Sequence, residues 1–273
     1  MSFYRGMDRD ALGRAYNNGA AVPDAADKIA DYARRSAAVY DSFEVKRDLA
    51  YGEGARQRLD WIPGPRVGAP TFAFIHGGYW QARGKEDFAH IAAGPLARGF
   101  NVALIEYTLG PEARMGQIVE EIGQAVDFLA SCLPDWGADR RRLCLAGHSA
   151  GGHLAACHRN HPAVSLVLGI SGLYDLEPIR LCYLNDKLDL TPDEVAAHSP
   201  ERHITPGAKT LLTVGAIELP ELIRQTTDYA ALLRRHGEAA EEIPAPGRDH
   251  FDVLETIAVP DGAALEAVAV AFS

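Results

Sequence analysis

A serine between glycines, Gly147-His148-Ser149-Ala150-Gly151, is the group in this 273-residue chain best suited to covalent chemistry. A serine hydroxyl is a weak nucleophile until a base removes its proton. A glycine on each side lets the backbone take the cramped turn that presents such a hydroxyl. The preceding residues, Arg142-Leu143-Cys144-Leu145-Ala146, read as a short buried strand, and the following ones, Gly152-His153-Leu154-Ala155-Ala156-Cys157, as the start of a helix. Strand, turn and helix is the context the nucleophile needs, so Ser149 is the candidate and acyl transfer the chemistry.

Acyl transfer also needs donors for the oxyanion that develops on the attacked carbonyl. Upstream, the apolar run Thr71-Phe72-Ala73-Phe74-Ile75 ends in His76-Gly77-Gly78-Tyr79-Trp80. Glycines there let the backbone pass close to a substrate, so the amides of Gly78 and Tyr79, with that of Ala150, are the expected oxyanion hole. Removing one such donor costs about 2.7–4 kcal/mol of transition-state stabilisation. The bland alternative for the dipeptide is a plain Gly-Gly turn after a strand.

The pentapeptide in its setting resembles the nucleophile elbow of α/β-hydrolases, a fold in which the triad follows the order nucleophile, acid, histidine. Of ten histidines, His250 is the last and follows the strand-like Ala240-Glu241-Glu242-Ile243 across a Pro/Gly-rich turn. It is the expected general base. His153, His158 and His161 lie too near Ser149 in sequence to swing over it and read as packing or helix-surface residues. The acid should follow the strand Thr210-Leu211-Leu212-Thr213-Val214. Glu218 stands nearest the strand end, whereas Glu221 follows Pro220 in what reads as a first helical turn, where the helix dipole favours an acid anyway. Asp228 falls on the helix itself. Glu218 is preferred.

The chain also resembles the kynurenine formamidase (arylformamidase) branch of that superfamily. The matching pieces run in order from residue 76 to 252: His76-Gly77-Gly78-Tyr79-Trp80-Gln81, Gly147 to Leu154, Ser171-Gly172-Leu173-Tyr174-Asp175-Leu176-Glu177-Pro178, Val214-Gly215 with Glu218-Leu219-Pro220-Glu221 and Arg224-Gln225, and Asp249-His250-Phe251-Asp252. Tyr79-Trp80 separates the pattern from esterases with a third glycine after His-Gly-Gly. The resemblance implies hydrolysis of N-formylkynurenine to kynurenine and formate, a step of tryptophan catabolism. It gives Glu218 the acid role by position, where many members carry an aspartate, and so implies a Ser-His-Glu triad. A general small-acyl carboxylesterase or amide hydrolase would use the same residues with another pocket, and a catalytically silent binding module would usually lack one element. None is missing here.

The elements that must position these residues follow from periodicity. Segments 44–50 and 58–62 read as an opening β-hairpin, and strands near 71–75, 101–105, 142–146, 163–170, 209–214 and 239–243 alternate with helical patterns. That alternation predicts an α/β fold: one domain over 1–273 with a mostly parallel, doubly wound sheet flanked by helices. Residues 1–43 read as a helical arm broken at Pro23-Asp24, lying across the site mouth or bracing the sheet. Residues 177–205 read as a small cap insertion, with Thr191-Pro192-Asp193-Glu194 as a helix start. Tyr79 and Trp80 on the oxyanion loop, with Tyr174 and with Tyr183 and Asn185 beyond it, are candidates to sandwich a flat aromatic substrate or else are core. An Ala-rich stretch, 263–271, predicts a terminal helix.

Composition narrows the function classes. With 47% hydrophobic residues the chain can fill the core of a buried parallel sheet. A net charge of −10 and no basic stripe argue against nucleic acid and against an anionic membrane surface. No apolar leader and no membrane-length run are present, so a cytoplasmic protein is expected. The four cysteines, Cys132, Cys144, Cys157 and Cys182, lack Cys-x-x-Cys spacing and read as reduced thiols. No histidine or cysteine cluster has metal-ligand spacing, so neither metal nor cofactor is expected, only a small acyl amide or ester. The oligomeric state stays open, a homodimer included.

Overall fold

The computed structural model describes residues 3–273, which leaves Met1 and Ser2 of the expected arm outside the described residues. An eight-stranded sheet in the order β1-β2-β4-β3-β5-β6-β7-β8 forms its centre. The strands are β1 (Lys46–Ala50), β2 (Arg58–Ile62), β3 (Ala69–Ile75), β4 (Asn101–Ile105), β5 (Ala138–His148), β6 (Leu166–Ile170), β7 (Lys209–Gly215) and β8 (Ala240–Ala245). β2 runs antiparallel to β1 and β4, and every other pairing is parallel. This is the doubly wound sheet expected from the βα alternation. β5 starts four residues earlier than its apolar run suggested, in a polar stretch of charged residues that the period-2 pattern hides.

Strands covered on both faces are largely apolar, and β4 and β6 are buried at every residue, Asn101 of β4 being the one polar side chain among them. Successive side chains go to opposite faces. Ala73, Ile75, Leu143 and Leu145 join one core, with Ile118, Ile122, Val126 and Leu129 of the Met115–Cys132 helix. Phe72, Phe74, Cys144 and Ala146 join the other, with Leu265 and Val268 of the terminal helix Ala263–Ala271. Charged residues protect the edges: β1 carries Lys46, Arg47 and Asp48, and β8 exposes Glu241 and Glu242.

Helices Arg9–Ala15, Asn18–Ala21 and Ala25–Ser42 make up the N-terminal arm, with the chain broken at Pro23-Asp24 as predicted. Residues 177–205 form short helices, Glu177–Arg180, Asn185–Leu188 and Pro192–His198, and the last has the Thr191/Glu194 capping box legible in the sequence. No helix among the described residues is long and apolar enough to cross a membrane.

Candidate active site

The parallel strands all point one way, and their C-terminal ends deliver the chemistry-bearing residues to one crevice. Ser149 follows β5 and caps the Ala150–Cys157 helix with φ 55° and ψ −117°, a sparsely populated combination for a non-glycine residue. Such a conformation costs on the order of 1–3 kcal/mol and persists only where the surroundings enforce it. Here the Ser149 amide donates to Ile170 O at 2.8 Å, pinning the turn to β6. The flanking glycines are steric necessities: a Cβ on Gly147 would run into the Gly151 carbonyl, and one on Gly151 into the Ile75 carbonyl.

Glu218 and His250 meet behind the serine. His250 Nδ1 donates to Glu218 Oε2 at 2.6 Å, and the other carboxylate oxygen accepts from Gly215 N at 2.7 Å and Ser171 Oγ at 2.5 Å. With three donors, this buried carboxylate has one orientation open to it. Glu221 instead pairs with Arg224 at 2.8 Å, and Asp228 with Arg224 at 2.9 Å, so neither competes for the imidazole. The bond at Nδ1 leaves Nε2 of His250 as the nitrogen that can accept a proton. Ser149 and His250 line one cavity, although Ser149 Oγ is not within hydrogen-bonding geometry of the imidazole in this structure. In unliganded hydrolases that contact is often loose and tightens with substrate.

The loop after β3 carries Gly78, Tyr79 and Trp80 in succession at positive φ, 115°, 50° and 58°. Left-handed backbone turns successive amides toward one side, and among the described residues the amides of Gly78, Tyr79 and Ala150 donate to no protein acceptor. Gly78 must be glycine because a Cβ would strike the Ala82 carbonyl. Glu106, at the end of β4, anchors this loop: it accepts from His76 Nε2 at 3.0 Å, Lys85 N at 3.0 Å, Tyr107 N at 2.9 Å and Arg56 Nη2 at 2.7 Å. Burial alone would raise the Glu106 carboxyl, but these donors hold it below its ordinary value. No motif marks Glu106; an acid closing an apolar strand was its only signal.

A cavity of about 220 Å³ opens above Ser149, lined by Gly78, Tyr79, His148 and His250 together with Phe88 and Phe251. Its outer wall comes from the arm, through Asn18, Gly19, Ile29 and Tyr32. Of the two placements open to the arm, then, its middle lies across the mouth. Lys28 pairs with Asp249, and the Tyr32 hydroxyl donates to Phe251 O, which fastens the arm to the His250 loop. The Tyr79 hydroxyl donates to Tyr16 O at 2.6 Å and accepts from Asn18 Nδ2 at 3.2 Å, tying the arm to the loop after β3 as well.

Two of the expected substrate-binding aromatics are elsewhere. Trp80 is fully buried, donating its indole N–H to His153 Nδ1 at 3.2 Å, and it packs in the core rather than lining the cavity. Tyr174 is fully buried too, stacked on Tyr229 with ring centroids 4.2 Å apart. Tyr183 is half exposed beside the Arg9–Ala15 helix, and Asn185 closes its own turn by accepting from Leu190 N at 2.6 Å. Residues 177–205 do not line this cavity, whose outer wall is supplied by the arm.

Around the site several histidines are held neutral. Burial, with the adjacent His250, pushes His148 well below its ordinary value, and burial takes His153 down to about 3. Away from the cavity, burial and the neighbouring Asp175 raise Glu201 to about 7. No group of three or more His, Cys, Asp or Glu side chains suited to a metal ion occurs among the described residues.

Comparison with known proteins places this chain among hydrolases. The BD-FAE family matches residues 63–179. The kynurenine formamidase of Drosophila melanogaster is 30% identical over 233 residues, 78% of this chain and 77% of that one. The kynurenine formamidase of Salmo salar is 29% identical over 228 residues, 77% of this chain and 76% of its own. A crystal structure from Silicibacter sp., described as a candidate thioesterase, has 32% identity and a TM-score of 0.86, covering 96% of this chain and 99% of the other.

Proposed function

Because this chain belongs to the kynurenine formamidase family of α/β-hydrolases, we propose that its esterase/amidase activity is the removal of a formyl group from an aryl amide, N-formylkynurenine, by a Ser149-His250-Glu218 triad. The observation that supports this most is the 2.6 Å bond between His250 Nδ1 and the triply held Glu218, with Ser149 on the same cavity.

In the first half-reaction His250 Nε2 takes the Ser149 proton and the alkoxide attacks the formyl carbon. The oxyanion that forms is met by the amides of Gly78, Tyr79 and Ala150. The imidazolium, oriented and stabilised by Glu218, then gives its proton to the departing anilide nitrogen, and the aryl amine leaves a formyl-serine. In the second half-reaction His250 deprotonates water, which attacks the same carbon, and formate departs as Ser149 recovers its proton. A formyl group suits the small cavity, since the acyl side has nothing to house beyond hydrogen, while the aryl ring has Phe88, Phe251 and Tyr79 to lie against.

The likeness to a candidate thioesterase at 32% identity favours a second reading, a small-acyl ester or thioester hydrolase using the same residues. A fluorophosphonate probe followed by formate release separates the possibilities: labelling that is lost in Ser149→Ala, with formate set free from N-formyl-L-kynurenine, supports the formamidase. Labelling without formate release contradicts it and leaves the ester reading.

A further inference from the structure

The triad and oxyanion amides leave two charged side chains on the cavity wall unused, Arg83 and Asp87. Among the described residues neither takes part in an ion pair, with each other or with any other group. Their neighbours do pair: Arg56 with Glu106 at 2.7 Å, and Lys85 with Asp48 at 2.9 Å.

Arg83 is an exposed side chain on a held backbone, and Asp87 is half-buried. Arg83 has φ 78°, and its carbonyl is held by Arg56 Nη2 at 2.7 Å. Its Cγ lies 3.1 Å from where a Gly78 Cβ would stand, so its aliphatic stem crosses over the oxyanion glycine. Asp87 accepts from Gly84 N at 3.1 Å through one oxygen, and the other is open. The same cavity is also lined by the apolar Ile29, Phe88 and Phe251.

A guanidinium presents a planar fork that matches a carboxylate, and a carboxylate accepts an ammonium. Opposite charges held apart on one wall match a ligand that carries both. We propose that Arg83 and Asp87 form a subsite for an α-amino acid head on the leaving group, Arg83 taking the α-carboxylate and Asp87 the α-ammonium. This deepens the formamidase reading and rests on it for the bond that breaks; the head would be recognised equally on an ester.

Two matched substrate pairs test it: N-formyl-L-kynurenine against 2-formamidoacetophenone, and O-acetyl-L-tyrosine against p-tolyl acetate. Within each pair only one member has the amino acid head. The readout is the ratio of kcat/KM with and without the head, on each pair that the wild type turns over. The wild type should favour the head by about tenfold or more, Arg83→Gln should reduce the ratio by about tenfold, Arg83→Lys should recover part of it, and Asp87→Asn should lower it. A ratio near one, or a ratio that Arg83→Gln does not change, overturns the subsite. If the formamides are inert but the ester ratio behaves as described, the subsite stands and the formamidase reading falls.

Discussion

His148 Nε2 donates to the backbone carbonyl of His250 at 2.9 Å, and the two imidazole rings lie 4.7 Å apart. The residue preceding Ser149 thus holds the loop that carries His250. Burial keeps His148 neutral, so it adds no positive charge beside His250. Replacing it removes a buried donor worth about 1–3 kcal/mol to its partner. We expect His148→Ala to lower kcat about tenfold or more with a smaller change in KM, measured by steady-state kinetics. Equal loss from both would point to general collapse of the cavity.

Glu218 and Glu221 lie three residues apart and should behave differently. Replacing the acid of a triad by its amide disfavours the productive tautomer, at a cost of up to about 10⁴ in kcat. Glu218→Gln should approach that figure. Glu221→Gln, which loses its pair with Arg224, should stay within about threefold of wild type. Similar losses in both variants would contradict the assignment of the acid.

Trp80 belongs to the core in this structure, so its replacement should act on stability. Trp80→Phe loses the hydrogen bond to His153 and part of a packed ring, for about 1–3 kcal/mol by denaturant unfolding, with KM little changed. A large KM effect at wild-type stability would return Trp80 to the substrate.

Acid should destabilise the fold. Burial depresses His90 and His153 to about 3 and His158 to about 4, against an ordinary value near 6.5. Below about pH 6.5 the unfolded chain binds these protons and the native state does not, so stability falls as pH drops toward 4. Glu201 acts in the opposite sense, since its raised carboxyl makes the native state bind the extra proton between about 4.5 and 7. Three depressed histidines outweigh one partly exposed carboxyl. Urea midpoints should therefore be lower at pH 5 than at pH 7, and Glu201→Gln should raise the midpoint at pH 7 but not at pH 4. A midpoint rising toward pH 5 would refute the balance.

What the sequence conveyed best was chemistry tied to short-range pattern. Gly147 to Gly151 implies a strained turn because only glycine fits its flanks, and chain order on an α/β sheet leads from Ser149 to His250 and to an acid after β7. The sandwich of Tyr79, Trp80 and Tyr174 was less legible, because an aromatic next to a site motif does not declare which way its backbone turns it. Trp80 goes inward, whereas Tyr79, left-handed as well, stays on the wall. The arm's position depended on contacts across more than 200 residues, such as Lys28 with Asp249, which periodicity does not encode. Glu106, Arg83 and Asp87 belong to no motif and become visible only through what they do or do not touch.

The central claim concerns Ser149 and a formyl amide, and the most direct measurement is kcat/KM for N-formyl-L-kynurenine beside p-nitrophenyl acetate, on the wild type and Ser149→Ala. Turnover of the formamide at about 10⁴ M⁻¹s⁻¹ or more, abolished in the variant, is the predicted result. Turnover of the ester alone, or formamide turnover that survives Ser149→Ala, would contradict it.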